Sequence, residues 1–147
     1  MYLKVGQTLT NRELSRIFNV SVQKGIRYSG SLKSKIDHVV LIATFQKMFE
    51  DPRRNPYEDR KIGNKLFYTG EGRYGDQKMR GGNLVLKQSR EKKYPIYVFE
   101  KKSPGRYAFL GRYRVLSVQT ELQKDSCGAE RKVFLFRLHK CKHLTHI

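Results

Sequence analysis

The segment Phe67-Tyr68-Thr69-Gly70-Glu71-Gly72-Arg73-Tyr74-Gly75-Asp76-Gln77 constrains this chain more than any other. It starts as a strand, rich in aromatic and β-branched residues, and leaves through a loop punctuated by glycines. Aromatic faces can stack on a planar heterocycle, while a hydroxyl, a cation and an amide can bond its edge. Glycines let the backbone close where a Cβ would collide. These are the parts of a pocket for one flat polar ring. The chain carries 31 Lys+Arg against 13 Asp+Glu, a formal net charge of +18, so a polyanion is the expected partner and a nucleobase the natural occupant. The cations are interleaved with Tyr, Gly and Asn and do not form one amphipathic basic helix, which favours nucleic acid over a membrane surface.

At 147 residues the chain has the size of one domain, enough for a single core but not for a receptor domain plus a full catalytic domain. No window approaches the ~20 apolar residues of a spanning helix. The opening Met1–Gln7 lacks the apolar stretch and cleavage site of a secretory signal, and Cys127 and Cys141 are the only cysteines. A soluble, cytoplasmic protein without a disulfide framework is therefore expected.

Thr10-Asn11-Arg12-Glu13 fits a capping box, with Leu14, Ile17 and Phe18 on one helical face behind it. This predicts a helical segment within residues 1–22. Ile26 and Tyr28 then alternate with Arg27 and Ser29, and after a polar turn Val39–Ala43 reads as a buried strand. Two prolines make residues 51–56 a surface loop that delivers Tyr57 and Asp59. Leu66–Thr69 is a strand. Gly81-Gly82-Asn83 reads as a loop and N-cap before a helix reaching about Lys92, and strands are expected over Tyr94–Glu100, Tyr107–Val118 and Lys132–Leu138. Residues 139–147 form a basic, His-containing tail. The whole, 1–147, reads as one α+β domain: a strongly curved or barrel-like mixed β-sheet flanked by a few short helices.

FYTGEGRYGDQ, preceded by Tyr57-Glu58-Asp59 and followed by Asn83-Leu84-Val85-Leu86, resembles the SRA (SET and RING associated) domain, and most closely the bacterial SRA-like modules beside HNH nuclease domains in modification-dependent restriction enzymes. The likeness runs from about Gly25 to Leu138. It implies a PUA-like barrel that flips a modified cytosine out of DNA. It also implies that Tyr57 and Tyr68 stack on the base, that Asp59 accepts from cytosine N4 and that Thr69 supplies a pocket hydroxyl. The same residues would otherwise be a core strand and a turn cap. Gln23, Lys24, Gly25, Arg27 and Ser29 match a segment that approaches DNA from one groove, with Gln23 or Lys24 as the plug for the vacated stack. Arg73, Lys78 and Arg80 would approach from the other side, and Asn83 joins this DNA-contacting set.

Two enzyme-like patterns compete with a pure binding module. Glu100-Lys101-Lys102 is half of a metal-dependent nuclease signature, without an acidic partner on the preceding segment. His139, Cys141, His143 and His146 crowd the end of the chain but lack the paired spacing of a zinc finger. The expectation is thus a non-catalytic module with no cofactor and no metal. It binds double-stranded DNA carrying 5-methyl- or 5-hydroxymethylcytosine, with cutting done by a nuclease domain or subunit of a restriction system. The alternatives are a small nuclease acting through Glu100 and Lys102, and a modified-base reader of the YTH or EVE type, whose cages use Trp, a residue absent here.

Overall fold

The computed structural model describes residues 2–45 and 59–142. Tyr57, the proline-containing loop over 51–56, His143 and His146 lie outside the described residues. The elements run β1 (Thr8–Leu9), α1 (Asn11–Phe18), β2 (Ile26–Gly30), β3 (Ile36–Ala43), β4 (Arg60–Ile62), β5 (Lys65–Thr69), α2 (Gly82–Lys92), β6 (Ile96–Ser103), β7 (Arg106–Lys124) and β8 (Glu130–Lys140). The strands form one mixed sheet in the order β2-β3-β6-β7-β8-β5-β4, with β1 added against β7. The β3–β6 pair is parallel and the others are antiparallel.

The sheet is open at its edges yet strongly curled. Strands β3 and β5 stand four places apart in that order, about 19 Å in a flat sheet at ~4.8 Å per strand. In the fold the Tyr68 hydroxyl on β5 reaches the Ile42 carbonyl on β3 at 3.0 Å. Register shifts at Val98/Phe99 and Val115/Ser117 supply part of the bend, since an extra residue on one strand raises local twist.

Alternation along the central strands sorts two cores. Val39, Leu41 and Ala43 of β3 join Ile96 and Val98 of β6 on the concave face, with Leu66, Phe136, Leu138 and the α2 residues Val85 and Leu86. Val40, Ile42, Tyr97 and Phe99 point the other way, against Leu14 and Phe18 of α1. The Phe18 and Phe99 rings meet edge to face, centroids 5.7 Å apart. The capping box that starts α1 is complete: Glu13 N–H donates to the Thr10 hydroxyl and Thr10 N–H to the Glu13 carboxylate.

Several boundaries differ from the expectation. β7 continues past Val118 to Lys124 because its polar end pairs residue for residue with β8, Lys124 opposite Glu130. β6 begins at Ile96, after the left-handed Lys93 closes α2, and runs on to Ser103, so Glu100 is inside a strand and not at its end. His139 and Lys140, expected in the tail, are paired in β8. Asn83 is not the cap of α2. Gly81 is, and the carboxylate of Glu71 accepts from Gly82 N–H at 3.0 Å, placing a negative charge at the helix start.

Candidate nucleic-acid interface

Where β5 ends, the loop after it, the segment before β2 and the β6–β7 strands enclose a cleft of about 1000 Å³. Asp59, Tyr68 and Thr69 are brought together in its wall. Tyr68 is 5 % exposed, its hydroxyl held by Ile42. Thr69 is 2 % exposed, and its N–H donates to Asp59 Oδ1 at 3.0 Å. Asp59 Oδ2 accepts from Thr44 N–H at 3.3 Å, so the carboxylate ties the start of β4 to the ends of β3 and β5.

Gly25 lies against Tyr68. A Cβ there would sit 2.5 Å from the Tyr68 hydroxyl, so only glycine lets this segment approach the ring. Gln23 and Lys24 are exposed on the same rim, Lys24 in the left-handed region at φ 75°. Arg27 is different from the expected phosphate contact. It is 5 % exposed, with Nε donating to Lys24 O at 2.8 Å, one terminal nitrogen to Asn11 Oδ1 at 2.6 Å, and its guanidinium 5.8 Å from the Tyr107 ring centre. Burial pushes its pKa down, opposed by Tyr107, and it serves as a buried cationic brace between α1 and the cleft floor. Ser29 is buried further along β2, opposite His38, and does not line the cleft.

The loop from Gly70 to Gly81 is pinned from below. Gln77 Nε2 donates to Gly70 O at 2.5 Å and Gly72 O at 3.2 Å, while its Oε1 accepts from Phe134 N–H at 2.9 Å. Arg131 donates to the Gly72 and Gly75 carbonyls from β8. Asp76 accepts from Lys132 N–H at 2.8 Å. Asn83, expected to contact DNA, is buried and bonds Glu71 N–H, Glu71 O and Lys78 O, so its amide braces this loop. A Cβ on Gly70 would meet Asn83 Oδ1 at 2.7 Å and Gln77 Oε1 at 2.8 Å, which explains the glycine after Tyr68-Thr69. The result is a stiff platform from which Arg73, Tyr74, Lys78 and Arg80 project at the cleft edge.

Lys101 and Tyr107 also line the cleft. Neither was singled out as a binding residue, since their place there depends on the β6–β7 hairpin reaching the loop after β5, a pairing that local sequence does not encode. Glu100 and Lys102 pair with each other at 3.1 Å. Among the described residues no group of three or more His, Cys, Asp or Glu could hold a metal ion.

The model of the ScoMcrA-like SRA domain family matches residues 5–145. Similar solved structures include the SUVH5 SRA domain with fully methylated CG DNA, 25% identical over 99% of this chain and 94% of that one, TM-score 0.72. The same domain bound to fully hydroxymethylated CG DNA is 25% identical over 99% and 93%, TM-score 0.70. The Type IV phosphorothioation-dependent restriction endonuclease ScoMcrA is 16% identical over 95% of this chain and only 28% of its own, TM-score 0.70. No curated protein sequence matches.

Proposed function

The chain belongs to the ScoMcrA-like SRA domain family, and on that footing we propose that it reads modified cytosine in double-stranded DNA by flipping the base into the Asp59–Tyr68–Thr69 cleft. The convergence of an aromatic face, a carboxylate and a hydroxyl beneath a cationic rim supports this reading most strongly. A flipped ring stacks on Tyr68, with Tyr57 as the second face. Its N4 amine donates to Asp59, and Arg73, Lys78 and Arg80 engage phosphates, joined by Lys101. Gln23 or Lys24 fills the vacated stack. The SUVH5 complexes carry methylated and hydroxymethylated DNA, which favours these substituents as ligands.

The module is non-catalytic in this reading and works in a cytoplasmic restriction system, as part of one domain that recognises while a nuclease domain or subunit cuts. The pairing of Glu100 with Lys102 favours it over the nuclease alternative, because a carboxylate neutralised by its own lysine is a poor cation ligand. Binding to duplexes identical except at C5 of one cytosine tests the proposal. Tighter binding of the methylated or hydroxymethylated duplex supports it; equal binding of all three rejects it.

A further inference from the structure

Gln123 on β7 is 4 % exposed and does not line the cleft, yet its Nε2 lies 3.2 Å from the Thr69 hydroxyl. A hydroxyl that accepts an N–H keeps its own proton for another acceptor. Among the described residues nothing accepts the Thr69 proton, although the residue is almost wholly buried in the cleft wall. The orientation of the Gln123 amide follows from its cross-strand partner. Gln123 stands opposite Arg131 in the β7–β8 ladder, and both are buried. Among the described residues Gln123 Oε1 makes no hydrogen bond; because a guanidinium has donors only, the amide oxygen is the end compatible with the Arg131 side, which leaves the NH₂ end for Thr69.

We infer that Gln123 is a positioning residue that holds the Thr69 hydroxyl as a hydrogen-bond donor to the bound base, and thereby lets the cleft separate 5-methylcytosine from thymine. The inference rests on the base-reading function proposed above. The two bases carry the same methyl at C5 and differ in edge polarity: cytosine offers an N4 amine with N3 and O2 acceptors, thymine an O4 acceptor and an N3–H donor. A pocket that presents one acceptor, Asp59, and one donor, Thr69, matches the first edge and opposes the second. Shape and methyl recognition alone would accept both. Thymine mispaired with guanine is the severe competitor, because a mismatched base is already cheaper to flip.

The test compares three duplexes with a 5-methylcytosine·G, thymine·G or cytosine·G pair at one position. Wild-type protein should bind the 5-methylcytosine duplex about tenfold or more tighter than the thymine·G duplex, as expected for one mismatched buried polar pair. Gln123→Glu places an acceptor-only group beside Thr69, with Arg131 opposite to balance its charge. The Thr69 proton is drawn out of the cleft, and the preference should fall about tenfold, with 5-methylcytosine binding lost and thymine·G binding held. Gln123→Leu, similar in volume and without polarity, should narrow the preference less, and keeps the test open if the glutamate variant folds poorly. Folded variants that keep the wild-type preference, or weaken both duplexes alike, overturn the inference. Wild-type protein that prefers 5-methylcytosine·G over cytosine·G but not over thymine·G also overturns it and leaves the proposed function standing. Absence of the first preference defeats the proposed function itself.

Discussion

The Tyr68 hydroxyl donates to the Ile42 carbonyl at 3.0 Å, clasping β5 to β3 across the concave face of a sheet in which they are not neighbours. One side chain therefore offers its ring to the cleft and holds the curl that forms the cleft. Tyr68→Phe leaves the buried Ile42 carbonyl without that donor and should cost about 1–2 kcal/mol of stability, read from the denaturant midpoint. Binding to modified DNA should change little, because the stacking face remains. An unchanged midpoint would show that the bond is no clasp.

Gln77 is the corresponding pin for the loop after β5, with bonds to Gly70 O, Gly72 O and Phe134 N–H. Gln77→Ala removes all of them and should destabilise the protein by about 2–4 kcal/mol. Amide hydrogen exchange should rise at Gly70 and across residues 71–80 before it rises in β6 or β7. Uniform loss of protection would instead indicate global unfolding and no local role.

The strands and their two faces were legible because their signals are local: β-branched and aromatic runs with period two in Val39–Ala43, and the Thr10–Glu13 box for α1. The ends of the strands were not. Gln119-Thr120-Glu121 carries no strand signal, and is strand only because Leu135, Phe134 and Val133 pair with it. The string from Phe67 supplied Tyr68 and Thr69, and the Tyr57-Glu58-Asp59 match before it supplied Asp59, through resemblance to a known motif; the three residues line one cleft wall in the fold. Arg27 and Asn83, expected to contact DNA, line the cleft but spend their polar groups on internal bonds. A cation or amide in a basic chain looks like a phosphate ligand until burial shows that it is bonded internally to Asn11 or Glu71. Gln123 carried no signal at all, since its tie to Thr69 spans 54 positions.

Asp125 closes the β7–β8 turn. Burial pushes its pKa up, but the amides of Ala129, Cys127 and Gly75, with the Arg131 cation, outweigh that and hold it below its ordinary 3.8. A carboxylate whose folded pKa is depressed contributes stability above its unfolded pKa and loses it as pH falls through the folded value. Stability should therefore decline below about pH 4, and Asp125→Asn should be less stable at neutral pH with a shallower acid decline. An identical acid profile in wild type and variant would exclude this turn as the acid-sensitive element.

The exposed Arg73, Lys78 and Arg80 make a sequence-independent prediction. Affinity for any duplex should fall steeply with salt, and each replacement by alanine should reduce the log–log slope by about 1. Modified and unmodified duplexes should weaken together. A slope near zero in the wild-type protein would remove the electrostatic basis of the interface.

The most direct measurement is the affinity ratio between duplexes that differ only by a methyl at C5 of one cytosine, taken for the wild-type protein and for folded Asp59→Ala and Tyr68→Ala. Each substitution should lower affinity for the methylated duplex by about 1–3 kcal/mol, Asp59 through an unpaired N4 amine and Tyr68 through lost stacking. Binding to the unmodified duplex should stay near wild type, because it uses phosphates outside the cleft, so the ratio should collapse toward one. Variants that fold normally yet weaken both duplexes equally, with the ratio intact, would contradict a base-reading cleft at Asp59 and Tyr68.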